Sequence, residues 1–190
     1  INNKNILVTG AGGSIGYELC KQILRQVPNR LLLLDHSEFS LYRINKEFGS
    51  EYSDIEIIPV LASVTEYKQI LNICKFYKIN TIYHAAAYKH VPMVELNPFV
   101  GIKNNIIGTY NCVSAAIASD VETFILISTD KAVRPTNVMG ASKRFSELIV
   151  QAAQLKSAKT CFSMVRFGNV IDSAGSVVPL FREQIKNGGP

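Results

Sequence analysis

The chain has 190 residues, of which 47% are hydrophobic and 18% are charged, and a formal net charge of +5. This composition suits one domain with a sizeable core, and the scattered basic residues suit a phosphorylated small substrate without requiring nucleic acid. No run approaches the ~18 apolar residues of a membrane span, and the four cysteines have no metal-ligand spacing, which predicts reduced, mostly buried thiols.

Apolar runs and helical patterns alternate along the chain. They predict strands at 4–9, 31–35, 55–60, 81–84, 122–128 and 160–167, and helices at 14–27, 39–49, 65–78, about 98–118, about 138–157 and 176–187. This order predicts an α/β fold with a doubly wound parallel sheet of the Rossmann type, in a single domain over 1–190. Sites in such sheets form outside the carboxyl ends of the strands, which selects segments 9–16, 84–95, 128–143 and 166–180.

Three glycines follow the first predicted strand and precede a helical pattern. Gly10 permits a tight turn, Gly13 lets the backbone approach a pyrophosphate, and Gly16 lets the helix pack close to the strand. The start of the helix, at Ser14 and Ile15, offers N–H donors and a positive dipole to phosphates. The spacing therefore predicts a dinucleotide site.

The second predicted strand ends in a carboxylate, Asp35. It lies about 20 residues beyond the glycines, where a ribose-binding acid belongs in a dinucleotide fold. A carboxylate there would repel a 2′-phosphate, so NAD is the predicted cofactor and NADP is disfavoured. Arg43 is the nearest downstream arginine that could weaken this preference.

The segment after the fourth predicted strand is rich in alanine. Small residues such as Ala85 and Ala86 would let the backbone lie against a flat cofactor, although alanine-rich turns also simply pack well. His84 is interpreted as a satisfied polar residue at a strand end. Lys89 and His90 either contact a substrate or are solvated loop residues.

Hydroxyl, carboxylate and ammonium groups follow the fifth predicted strand, at Thr129, Asp130 and Lys131. The last two are adjacent, which predicts that their side chains point in different directions, as an acid and a base on opposite sides of a substrate carbon would. Met139 and Lys143 are four residues apart and therefore share one helix face. The alternative interpretation of Asp130 and Lys131 is an exposed charge pair, and that of Met139 is packing in the core.

These motifs resemble the extended short-chain dehydrogenase/reductase family, and within it the nucleotide-sugar 4,6-dehydratases of polysaccharide biosynthesis. The resemblance rests on segments 9–16, 84–92, 128–132, 135–143 and 166–170. The broad family has a tyrosine at the position of Met139, whose thioether has no transferable proton. The large membrane-associated branch of the dehydratases is similar to this chain in having methionine there.

The resemblance implies an internal oxidation and reduction of a UDP-sugar with bound NAD, and UDP-N-acetylglucosamine is the substrate that it favours. Lys131 would remove the proton from carbon 5, and Asp130 would protonate the departing 6-hydroxyl. Thr129 would bind the 4-hydroxyl, Lys143 would bind the nicotinamide ribose, and Asn169 would contact the sugar or its diphosphate.

The resemblance also implies a longer parent protein. It would carry membrane helices upstream and a substrate-binding region downstream, which would make this chain a cytoplasmic domain of an inner-membrane protein that forms homo-oligomers. Two alternatives stay open: an epimerase or 4-reductase of the same fold, which would not need Asp130 and Lys131, and a catalytically silent dinucleotide-binding module, which Met139 favours.

Overall fold

The computed structural model describes residues 1–170 and 177–189, and of 177–180 it describes the backbone only. Its strands are β1 (Asn5–Thr9), β2 (Arg30–Asp35), β3 (Glu56–Leu61), β4 (Thr81–His84), β5 (Thr123–Ile127) and β6 (Cys161–Val165). Its α-helices are α1 (Ser14–Leu24), α2 (Glu38–Glu51), α3 (Tyr67–Phe76), α4 (Val91–Leu96), α5 (Pro98–Ile102), α6 (Gly108–Ala118), α7 (Val138–Lys156) and α8 (Val177–Lys186). A π-helical turn (Lys103–Ile107) joins α5 to α6, and a 3₁₀ turn (Asp130–Ala132) follows β5.

The six strands form one parallel sheet in the order β3-β2-β1-β4-β5-β6. The predicted doubly wound α/β fold is therefore confirmed. The strand order reverses between β1 and β4, where Thr9 lies opposite both Leu34 and His84. At such a switch point the connections leave in opposite directions, so a crevice opens at the carboxyl ends of β1 and β4.

Two hydrophobic cores lie on the two faces of the sheet. One, under α1 and α2, contains Ile6, Leu33 and Phe48, and the other, under α3, α6 and α7, contains Leu7 and Phe124. Neighbouring residues of β1 enter different cores because successive strand side chains point to opposite faces. This double burial explains why the strands read as continuous apolar runs.

The structure differs from the predicted elements in two places. The helix predicted at about 98–118 contains the π-helical turn, and α4 was not predicted at all, although Pro92 lies in its first turn, a position that proline favours. Residue 176 of the last predicted helix and part of segment 166–180 lie outside the described residues.

The prediction of mostly buried thiols is confirmed for three cysteines. Cys20, Cys74 and Cys112 are buried and free, whereas Cys161 is exposed at the start of β6. None of the helices in the described part of the chain combines the length and the apolar character needed to span a bilayer.

Candidate active site

The glycine turn between β1 and α1 lies in close contact with the start of α1 and with the segment that follows β4. Gly10 has a φ of +69°, and a Cβ there would lie 2.7 Å from the Cα of Ala86, so only glycine fits this conformation and this contact. A Cβ on Gly16 would overlap the carbonyl oxygen of Gly10, which confirms the close helix–strand packing predicted for it. Gly13 is the N-cap residue of α1, and it lines a cavity of about 460 Å³ together with Ser14 and Ile15.

Asp35 is the last residue of β2, which lies next to β1 on the side of the crevice away from β5. The residue is 6% exposed, and its two carboxylate oxygens accept hydrogen bonds from the backbone N–H groups of Gly12 and Ser37, both at 2.9 Å. These two bonds fix the carboxylate at the wall of a cavity of about 230 Å³. Arg43 is not among the described residues that line this cavity; it lines a separate groove on α2.

A cavity of about 420 Å³ lies at the carboxyl ends of β5 and β6. It brings together the following predicted site residues: Ala85, Lys89, His90, Thr129, Lys131, Lys143 and Asn169. Ala85, Ala87 and Tyr88 line this cavity and also the two described above, so the three form one groove along the edge of the sheet. An elongated ligand could therefore extend from Asp35 past the glycine turn to Lys131.

Asp130 and Lys131 meet in an ion pair, so the prediction that their side chains point apart is wrong. The Lys131 ammonium donates to Asp130 Oδ1 at 3.2 Å and to Asn169 Oδ1 at 3.1 Å. The cause is the 3₁₀ turn, in which Thr129 accepts from the Lys131 N–H and donates to Asp130 Oδ1 at 2.9 Å. The hydrogen bond from Thr129, followed by that from Lys131, lowers the pKa of Asp130, which is therefore ionised at neutral pH.

Met139 and Lys143 lie on one buried face of α7, as predicted. Met139 is 2% exposed and Lys143 is 6% exposed, and both line the 420 Å³ cavity. The Lys143 ammonium donates to the carbonyl oxygen of Ile127 at 2.7 Å. Burial lowers the pKa of Lys143 to about 8, so it changes charge near physiological pH.

His84 is a satisfied buried histidine, as the sequence predicted. Its Nδ1 lies 2.7 Å from Thr9 Oγ1, and its Nε2 lies 3.0 Å from Thr109 Oγ1. Burial, reinforced by the charge of Lys143, lowers the pKa of His84 to about 3, so the ring is neutral. It joins β1 to α6 beneath the groove.

Two buried polar residues were missed. Asn105, in the π-helical turn, accepts from the Tyr88 N–H at 2.8 Å and donates to the Tyr88 carbonyl at 3.0 Å and to Ser142 Oγ at 2.9 Å, so it ties the groove wall to α7. Glu147, one turn after Lys143, is completely buried and binds Arg166. The sequence gives no distinct signal for Glu147, because the buried face of α7 also carries Ser142, Lys143 and Ser146.

The groove has the features that a dinucleotide requires. Small residues lie where the backbone segments approach, a helix N-terminus faces the groove, and a fixed carboxylate stands at one end. Among the described residues, no group of three or more His, Cys, Asp or Glu side chains could hold a metal ion.

Comparison with known proteins finds similarity over nearly the whole chain. Residues 6–190 match the family model described as polysaccharide biosynthesis protein. The chain is 50% identical over its full length to the capsular polysaccharide biosynthesis protein CapD of Staphylococcus aureus, of which it covers 32%. It is 45% identical to an uncharacterised membrane protein of Methanocaldococcus jannaschii over 99% of the chain and 55% of that protein.

Two further matches are more distant. The UDP-N-acetylglucosamine 4,6-dehydratase (inverting) of Campylobacter jejuni serotype O:23/36 is 37% identical over 98% of the chain and 55% of that protein. Among solved structures, Pen from Bacillus thuringiensis superposes with a TM-score of 0.92 at 34% identity, over 98% of this chain and 58% of that one. The chain thus spans about a third to just over half of the relatives that it matches.

Proposed function

The chain belongs to the polysaccharide biosynthesis protein family, and we propose that it carries the cofactor site and the acid–base residues of an NAD-dependent nucleotide-sugar 4,6-dehydratase. One observation carries this proposal: Thr129, Lys131 and Asn169 line the end of the groove, and Asp130 is held beside them by hydrogen bonds from Thr129 and Lys131. A silent binding module would not need these groups beside a cofactor. The name of the Campylobacter jejuni relative supports the dehydration reaction.

The residues along the groove would hold the cofactor in a defined order. Asp35 would bind the adenosine ribose, and the glycine turn with Ser14 and Ile15 would bind the pyrophosphate. Ala85 and Ala86 would lie against the cofactor, and Lys143 would bind the second ribose. Bound NAD would supply reversible hydride acceptance, so that carbon 4 of the sugar can be oxidised and carbon 6 later reduced.

The ion pair contains the proton that elimination requires. In the resting pair Lys131 is the donor and Asp130 is the carboxylate, whereas elimination needs a neutral amine and a carboxylic acid. Transfer of one proton across the 3.2 Å contact gives that state without taking up a proton from water. Lys131 then accepts the proton from carbon 5 while Asp130 gives its proton to the departing 6-hydroxyl, and the ion pair is restored.

The sugar would be recognised at the mouth of the same cavity. Lys89, His90 and Asn169 line it, and a cationic residue there suits the diphosphate of a UDP-sugar. Thr129 would accept a hydrogen bond from the 4-hydroxyl, because its own proton is donated to Asp130, and the thioether of Met139 cannot exchange a proton. UDP-N-acetylglucosamine is the proposed substrate, because the Campylobacter jejuni relative is named for it.

The reaction is tested with the full-length protein, NAD and UDP-N-acetylglucosamine. Product mass is measured together with the sugar configuration. Loss of one water supports the dehydratase. An unchanged mass with an inverted carbon 4 would support the epimerase instead, and an unchanged sugar after confirmed NAD binding would support the silent module.

Asp35 is expected to set cofactor preference. Its carboxylate is fixed by two backbone N–H groups, so it cannot turn away from a 2′-phosphate, and NAD is expected to bind at least about tenfold more tightly than NADP. Asp35→Asn keeps the shape and removes the charge, and should narrow that ratio. Calorimetric titration of both cofactors measures it; a wild-type preference for NADP would contradict the assignment.

The full-length protein is proposed to be anchored at the cytoplasmic face of a membrane. The support is the relative from Methanocaldococcus jannaschii that is named as a membrane protein. Fractionation of cells that express the full-length protein tests this. Release of the protein from the membrane fraction by a wash without detergent would contradict it.

We also propose a homo-oligomer formed through α6 and α7. These helices pack against each other and carry exposed apolar residues at heptad spacing: Ile107, Tyr110 and Ile117 before and along α6, and Phe145, Leu148 and Leu155 along α7. Two adjacent helices with such stripes would match the same pair on a second copy, as in a four-helix bundle.

Charge placed in this stripe is expected to disrupt the oligomer. Phe145→Asp should yield monomers in sedimentation velocity, because the carboxylate would be buried between helices. Phe76→Asp is the matched control, since Phe76 is also exposed but lies on α3, and it should leave the oligomer intact. A wild-type protein that is already monomeric would contradict the proposal.

A further inference from the structure

Glu147 is a completely buried carboxylate one helical turn after Lys143, which lines the 420 Å³ cavity. Its Oε1 accepts from Ser128 Oγ and from Arg166 Nε, both at 2.7 Å. Its Oε2 accepts from Arg166 Nη2 at 2.6 Å and from Arg144 Nη1 at 2.9 Å. Burial raises the pKa of Glu147, but these hydrogen bonds outweigh it and lower the pKa to about 2. The side chain is therefore charged throughout the neutral range.

The residues that Glu147 binds lead directly to the acid–base cluster. Ser128 directly follows β5, and its backbone N–H donates to the Val165 carbonyl at 2.7 Å. Two residues further along each chain segment, the Asp130 N–H donates to the Phe167 carbonyl at 3.0 Å. The backbone pairing of the two segments is followed by a side-chain contact, in which the Lys131 ammonium donates to Asn169 Oδ1. Glu147 thus holds the base of the two segments that present the cluster.

Glu147 also acts on Lys143, one helical turn away on the same face of α7. The Lys143 ammonium donates to the carbonyl of Ile127, and Glu147 accepts from the hydroxyl of the next residue, Ser128, so the two charges bind adjacent residues. The negative charge of Glu147 raises the pKa of Lys143 and opposes the effect of burial. His84 approaches from β4 and is neutral at physiological pH. Among the described residues, the other charged or titratable groups that line the cavity are Tyr88, Lys89, His90 and Lys131, and Asp130 is paired with Lys131 at its border.

We infer that Glu147 is a positioning residue with two effects: it clamps the ends of β5 and β6 to α7, and it keeps the Lys143 ammonium protonated. The second effect matters for function only if Lys143 binds the cofactor, as proposed above. The charge of Lys143 can nevertheless be measured without any cofactor. Arg144 and Arg166 partly neutralise Glu147. Loss of the carboxylate and loss of an arginine should therefore move the charge of Lys143 in opposite directions.

The test is a direct titration of the Lys143 amine in this chain by NMR of ¹⁵N-labelled lysine, with Lys143→Met to assign the signal. The wild-type midpoint is expected at about 8. Glu147→Gln removes a negative charge and should lower the midpoint by roughly one unit. Arg166→Gln leaves Glu147 less neutralised and should raise it.

Glu147→Asp is the matched control, because it keeps the charge and shortens the side chain by one methylene. Its midpoint should stay closer to wild type than that of Glu147→Gln. If Glu147→Gln fails to fold, the rise expected for Arg166→Gln still decides the question. Shifts of the same sign in both variants, or no shift, would overturn the inference, since a purely structural role predicts no reversal of sign. The titration contains neither cofactor nor sugar. Its result therefore can be interpreted even if the dehydratase proposal fails.

Discussion

Replacing Lys131 with methionine is expected to lower the rate of water elimination by at least about 10²-fold in the full-length protein. The ammonium of Lys131 contacts Asp130 and Asn169 at the cavity, and methionine keeps the length of the side chain but cannot accept the proton from carbon 5. NAD affinity should be largely unchanged, because Lys143, not Lys131, is assigned to the cofactor. Product mass and calorimetric NAD titration measure the two effects separately.

Two companion variants sharpen this expectation. Asp130→Asn should cause a loss of similar size, since it removes the acid for the 6-hydroxyl and preserves the shape. Met139→Ala is the control at the same cavity: the thioether has no proton to give, so it should cost far less. Near-full dehydration by Lys131→Met, or a larger loss in Met139→Ala than in the other two, would contradict the mechanism.

The fold was predictable because its determinants are local. Continuous apolar runs of strand length alternate with amphipathic segments, and this pattern permits few arrangements other than a covered parallel sheet. The positions of Gly10 and Asp35 along the groove followed from the same order, because both lie at carboxyl ends of strands. The short helix α4 escaped detection because six residues are too few for a helical period to be recognised.

The missed parts of the site depend on contacts between segments that are distant in sequence. Glu147 and Arg166 are 19 residues apart and meet only because β6 lies beside β5. The orientation of Asp130 and Lys131 was mispredicted for a related reason. Extended backbone would separate neighbouring side chains, whereas the hydrogen bonds of Thr129 turn the chain there into a 3₁₀ turn.

Substitutions in the glycine motif are expected to separate its packing role from its binding role. In Gly16→Ala the new Cβ would overlap the Gly10 carbonyl and approach the Ala11 Cα to 2.8 Å, and both are backbone groups that cannot rotate away. Helix α1 would have to move off the sheet. We expect the free energy of unfolding to fall by about 1–3 kcal/mol and NAD binding to be lost.

Gly13→Ala should behave differently. Within the described part of the chain its Cβ would meet only the Gly10 carbonyl oxygen, at 3.4 Å, and its φ of −75° suits alanine. Stability should therefore change by no more than about 0.5 kcal/mol. The added methyl group would nevertheless stand where the pyrophosphate is assigned, and NAD affinity should fall at least about tenfold, or ~1.4 kcal/mol. Gly49→Ala, in helix α2, is the control. No atom of the described residues lies within 4 Å of its Cβ, so the free energy of unfolding should rise by about 0.5–1 kcal/mol and NAD should bind normally. Urea unfolding and calorimetry measure both quantities, and wild-type NAD affinity in Gly13→Ala would show that no phosphate approaches this turn.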